Sequence, residues 1–173
     1  MRKFIIYIPV KLSPKTHTSG TTLVEILVAT LLLASFFASL FEANAVCLRF
    51  IAASKQSVGA IEAVQARAEV FRNLAFGDLT TTSYVQNLLA TAANTSDFAK
   101  SATEVVKISA YPTANGVTQI TRAMNGTVNL NSTATSLGST LVKVDISQSW
   151  TAVFGGRQRT EQTSLIISNG TKK

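Results

Sequence analysis

The order of apolar and polar positions changes character along the chain. From Ile26 to Phe41 the sequence reads ILVATLLLASFFASLF, sixteen residues without a charge, bounded by Glu25 and Glu42. Extending back to Thr21 adds Glu25 as the only ionisable side chain. Roughly 20 apolar residues at about 1.5 Å each cross a bilayer, so this stretch predicts a membrane-spanning helix. Helical character continues beyond it. Between Val46 and Phe76 there is no proline, and the one glycine is Gly59. Val58, Ile61, Val64, Ala68, Phe71 and Leu74 recur at helical spacing, with Lys55, Glu62, Arg67, Glu69 and Arg72 on the other sides. Gly77-Asp78 reads as the stop. The pattern predicts one helix over residues 22–76, about 80 Å long at the standard rise.

A Thr-, Ser-, Ala- and Asn-rich stretch follows, read as a connecting loop over 77–103 with a short helix at Tyr84–Ala93. From Glu104 the period moves to two. Strands are predicted at Glu104–Tyr111 and Val117–Arg122, around a turn at Pro112–Gly116, and more weakly at Gly126–Leu130. In Leu141–Phe154 the even positions Val142, Val144, Ile146, Trp150, Ala152 and Phe154 are apolar and the odd ones from Lys143 to Thr151 polar, the signature of a half-buried strand. A two-residue turn at Gly155-Gly156 would set Ile146 opposite Leu165 and Val144 opposite Ile167, with Trp150 at the core edge beside Glu161. The expected fold class is α+β: a long N-terminal helix packed on a C-terminal antiparallel sheet over residues 104–168.

Composition sharpens the membrane assignment. Of 173 residues 46% are hydrophobic and only 14% charged, against roughly 25% charged in ordinary globular domains; mean hydropathy is +0.26. The net charge of +7 does not mark a nucleic-acid binder. Four of the sixteen bases, Arg2, Lys3, Lys11 and Lys15, fall in the acid-free first 20 residues, which leaves twelve bases against nine acids beyond them. That basic flank places residues 1–20 on the cytoplasmic side. One cysteine, Cys47, and one histidine, His17 in the basic leader, give neither an internal disulfide nor a zinc site.

Three interpretations fit the N-terminal segment. Ala43-Asn44-Ala45 has the shape of a signal-peptidase site; an uncleaved signal anchor is the second. The third rests on Ser19-Gly20-Thr21-Thr22-Leu23-Val24-Glu25. This junction resembles the prepilin peptidase site of type IV pilins and pseudopilins: a basic leader ending in Gly, typically Phe-Thr-Leu-x-Glu, then a long apolar stretch. Gly20 matches the residue before the cut, and Thr22, Leu23 and Glu25 match the second, third and fifth mature positions; Thr21 departs from the usual Phe at the first. Physical chemistry favours the third interpretation independently. A carboxylate inside an apolar span costs about 2.5–3.5 kcal/mol and needs a partner; cleavage after Gly20 would create one in the Thr21 α-amine.

The resemblance implies a leader at 1–20, a transmembrane and assembly half of the helix at 21–48, and a periplasmic head at 49–173 comprising helix 49–76, loop 77–103 and the sheet. It implies cleavage between Gly20 and Thr21, N-methylation at Thr21, recognition through Thr22, Leu23 and Glu25, and an assembly salt bridge from Glu25 to a neighbouring subunit's Thr21 amine. The implied partners are prepilin peptidase, other pilin or pseudopilin subunits, inner-membrane lipid and, indirectly, the assembly platform and its ATPase. The implied location is the inner membrane, single-pass with the head periplasmic, and then a periplasmic or extracellular filament. The segment from Ala66 to Leu79 and the closing hairpin are similar to minor pseudopilins of the I type and related minor pilins. No phosphate loop, H-E-x-x-H or G-x-S-x-G appears, so no catalytic residue, cofactor or metal is expected. The other class of function is a secreted or membrane-anchored β-rich binding domain.

Overall fold

The computed structural model describes residues 22–170. Helix α1, Leu23–Asn73, is followed by three short helices, α2 (Phe76–Thr80), α3 (Thr82–Ala90) and α4 (Asp97–Ser101), and by five strands: β1 (Thr103–Ala110), β2 (Thr118–Arg122), β3 (Val128–Ser132), β4 (Leu141–Thr151) and β5 (Gln158–Ser168). The described residues divide into two compact units, with the boundary between Asn44 and Ala45. The strands form one antiparallel sheet in the order β3-β2-β1-β4-β5, and the second half of α1 packs against it. The α+β arrangement expected from the pattern is present.

The main core lies between sheet and helices. Phe71 of α1, Leu79, Val85 and Leu89 of the short helices, and Val106, Ile108, Ile120, Val142, Val144, Ile146 and Leu165 of the sheet are buried in it, with Ile167 at its margin. The alternation in β4 thus decides which face turns inward, as its sequence predicts. A second cluster joins Ala60, Ala102 and Trp150, with Phe98 packed edge-to-face on the indole at 5.2 Å between ring centroids. Trp150 is buried there, at the edge of the core.

Several expectations are corrected. Helix α1 ends at Asn73, not 76, and Gly77-Asp78 is no stop: both residues lie inside α2. The chain turns at Ala75, which is extended (ψ 146°), and the turn brings Leu74, Phe76 and Leu79 onto the core; that burial outweighs the helix penalty of Gly77. The segment 77–103 is no plain loop, since α2, α3 and α4 occupy most of it. Helix α3 ends at Ala90, short of the Ala93 expected. Helix α4 is capped by Ser96, whose Oγ accepts from the Ala99 N–H at 3.1 Å. Strand β3 begins two residues later than Gly126, and β4 stops at Thr151, leaving Phe154 exposed in the hairpin loop.

The hairpin register is shifted by two residues. Val144 faces Leu165, Ile146 faces Thr163 and Trp150 faces Arg159. The loop is longer than two residues: Ala152 N–H donates to the Arg157 carbonyl at 2.9 Å, with Gly155 and Gly156 at positive φ between them. A shift of two keeps every side chain on its face, so alternation alone does not separate the two registers; loop length does.

The apolar stripe of α1 is also partly misplaced. Val58 and Ile61 are exposed, whereas Ala53, Ala60, Ala63, Val64, Arg67, Ala68 and Phe71 are buried. Steps of three and four averaging below 3.6 drift around a helix, and Val58 and Leu74, sixteen residues apart, sit about 160° from each other. The buried arc instead uses small residues at 53, 60 and 63.

Candidate functional site

Gly20 and Thr21, the predicted cleavage pair, lie outside the described residues. The remaining recognition positions open α1. Thr22 is its N-cap: its Oγ1 accepts from the Glu25 N–H at 3.3 Å, and its carbonyl from the same N–H at 2.9 Å. Thr22-Leu23-Val24-Glu25 therefore has the T-x-x-E form of a capping box. Glu25, in the first turn, is placed where the helix dipole favours a negative charge. The capping role falls on Thr22 and Glu25, two of the expected recognition positions, and Glu25 is also the expected assembly residue.

From Leu23 to Phe41 every large apolar side chain of α1 is exposed. The helix contains an 18-residue window of mean hydropathy 2.3, none of it buried, and is long and apolar enough to cross a membrane. The hydroxyls of this stretch are satisfied within the helix. Thr30 Oγ1 donates to the Leu27 carbonyl, Ser35 Oγ to Leu31 and Ser39 Oγ to Ser35, each at 2.9 Å, which lowers the cost of hydroxyls in an apolar medium.

In the head, a buried polar row crosses the sheet beneath α1. Glu104 of β1 pairs with Arg122 of β2 on one side and Gln148 of β4 on the other, and all three side chains are buried. Arg67 descends onto Glu104: its Nε is 2.6 Å from Oε1 and its Nη2 3.0 Å from Oε2. The same guanidinium donates to the carbonyls of Leu88 and Thr91 at the end of α3, at 3.2 and 2.7 Å. Arg122 Nη1 donates to the Ala99 carbonyl at 3.2 Å, tying β2 to α4. Arg67 thus fastens α3 to α1 and β1, and Arg122 fastens α4 to β2. Arg67 was expected off the apolar stripe, yet Val64, Arg67, Ala68 and Phe71 follow the i, i+3, i+4, i+7 spacing of one buried face. Gln148 Nε2 and Oε1, Arg122 Nε and Trp150 Nε1 are buried without a protein partner.

On the opposite sheet face Lys143 Nζ lies 2.9 Å from Asp145, whose carboxylate also accepts from Ser164 Oγ. Partial burial by itself would raise the Asp145 carboxyl; the hydrogen bonds from Ser164 and Lys143, with the charges of Lys143 and Lys107, outweigh it and hold the group below its ordinary value. Among the described residues no group of three His, Cys, Asp or Glu side chains is placed to hold a metal, and Cys47 is exposed.

Comparisons with protein-family models, curated proteins and solved structures give no match for this chain.

Proposed function

We propose that the chain is the precursor of a minor pilin-like subunit of a type II secretion pseudopilus or a type IV pilus, with no catalytic activity of its own. Prepilin peptidase cuts after Gly20, residues 21–48 hold the subunit in the inner membrane and then in the filament, and the head from residue 49 lies in the periplasm. The observation that carries this reading is the position of Glu25. A lone carboxylate stands in the first turn of α1, ahead of an exposed apolar surface without a further charge until Glu42. A helix that served only as an anchor gains nothing from that charge. A helix that stacks beside copies of itself does, because one axial offset sets Glu25 against a neighbour's Thr21 amine, in a low-dielectric setting where attraction is stronger than in water and desolvation offsets much of it.

The test is incorporation. Glu25→Ala should insert into the membrane and be cleaved as the parent is, yet fail to enter filaments, and Glu25→Gln should behave alike. A carbodiimide, which joins a carboxylate to an amine without altering either residue beforehand, should crosslink Glu25 of one chain to the residue 21 amine of its neighbour only while the assembly ATPase is active. Full incorporation of the Ala variant would remove the pairing from the account.

A further inference from the structure

The two edges of the sheet are treated differently. The β3 edge is short, and its ladder with β2 is interrupted by a register shift at Gln119/Ile120. The β5 edge runs 11 residues in unbroken register with β4. It carries no Pro, Lys or bulge, devices by which sheet edges are blunted, and its charges, Arg159 and Glu161, lie near its start. The Ala152 N–H meets the Arg157 carbonyl and the Asn169 N–H meets the Thr140 carbonyl, continuing the β4·β5 register at both ends. In an antiparallel pair such doubly bonded positions alternate with unbonded ones. The odd-numbered residues of β5 therefore bond to β4, and Gln158, Thr160, Gln162, Ser164, Ile166 and Ser168 turn both N–H and C=O away from the sheet. All six are exposed.

A groove of about 400 Å³ opens where this edge meets the end of α1, lined by Arg72, Leu74, Phe76, Ile166, Ile167 and Asn169 among others. Outward backbone groups beside an apolar groove are what strand addition needs: main-chain bonds supply affinity, and the groove receives alternate side chains. The charge at the start of the edge is positive: Arg157 and Arg159 are exposed there, and the strand's one acid, Glu161, is half-buried. Arg72, which lines the groove at the other end, is paired with Glu69. We propose that the β5 edge and this groove receive an extended, acid-bearing segment of another protein, which adds to the sheet as a sixth strand. A second copy of this chain offers less, because its own edge repeats the same arginines.

Residue-resolved hydrogen exchange on the full chain in detergent micelles tests this. The probes are a short peptide of alternating Val and Thr with Asp at both ends, and the same peptide with Lys at both ends. The Asp-ended peptide should slow exchange about tenfold or more at the amides of residues 158, 160, 162, 164 and 166, and leave the odd-numbered amides unchanged. Gln162→Pro, which removes one outward donor and no ladder bond, should abolish the response. Arg157→Glu with Arg159→Glu should transfer it to the Lys-ended peptide, a reversal that a merely misfolded variant does not show. Unchanged exchange with either peptide overturns the proposal, as does equal protection by both. Protection of the same amides on raising protein concentration without peptide assigns the edge to a second copy and overturns it too.

Discussion

Arg67 of α1 and Glu104 of β1, 37 residues apart, form a two-point ion pair that is almost wholly shielded from water: the side chains are 2% and 0% exposed. Both guanidinium edges are used, since the same arginine closes the end of α3 through Leu88 and Thr91. Removing one partner leaves the other charged and buried. Arg67→Ala and Glu104→Ala should each destabilise the head by about 3–5 kcal/mol, measured by urea unfolding of residues 45–173. Replacing both with Met and Leu should recover most of that loss. A single variant within experimental error of the parent would mean that the pair is not formed in solution.

The Phe98–Trp150 contact depends on Gly59. A Cβ at position 59 would stand 3.2 Å from both Cβ and Cγ of Phe98. Gly59→Ala sets a gain in helix propensity of about 1 kcal/mol against a displacement of a few tenths of an ångström. Gly59→Leu has no such balance and should cost about 1–3 kcal/mol by overpacking. Displacement of Phe98 would also expose the indole, so Trp150 emission should move to longer wavelength in the Leu variant. An unshifted emission maximum would contradict the packing described.

Strand β4 supplies a sharper test of the core. Ile146 is fully buried opposite Val106 and Thr163. Ile146→Asp places an unpartnered carboxylate there at a cost of several kcal/mol, and near-UV circular dichroism of residues 45–173 should be lost. The neighbouring Ser147→Asp, on the outer face, should leave the spectrum intact.

Elements with a strong period were legible in the sequence: α1 to within three residues at its end, four strands, and the inward face of β4. What escaped was set by tertiary contact. The end of α1 depends on where Leu74 and Phe76 find the core, and Gly77 gives no warning of that. The hairpin register depends on a loop whose length parity does not reveal. The α1 face was misjudged between 58 and 61 because large residues were counted and alanines were not. Of the candidate site, Thr22, Leu23 and Glu25 were legible as a motif. The Arg67–Glu104 pair was not, because nothing local links a helix arginine to a strand glutamate 37 residues on.

Acid sensitivity should have a local contribution from Asp145. Its carboxyl is held below the ordinary value in the folded head, so the stability it contributes is fully present above the unfolded value of about 3.9 and is lost as pH falls through the folded value. Asp145→Asn should flatten the acid limb of the stability–pH curve below about pH 4 and leave its neutral region nearly unchanged. An acid limb identical to the parent's would show that Ser164 and Lys143 do not hold the carboxylate in solution.

The central claim, that this chain is processed as a pilin-like precursor, is tested most directly by the N-terminal sequence of the membrane-extracted protein expressed with a prepilin peptidase. The account predicts a mature chain beginning at Thr21, and a full-length precursor when Gly20→Val blocks the cut. A chain beginning at Val46, or one left intact at Met1 in the unmutated protein, would contradict it.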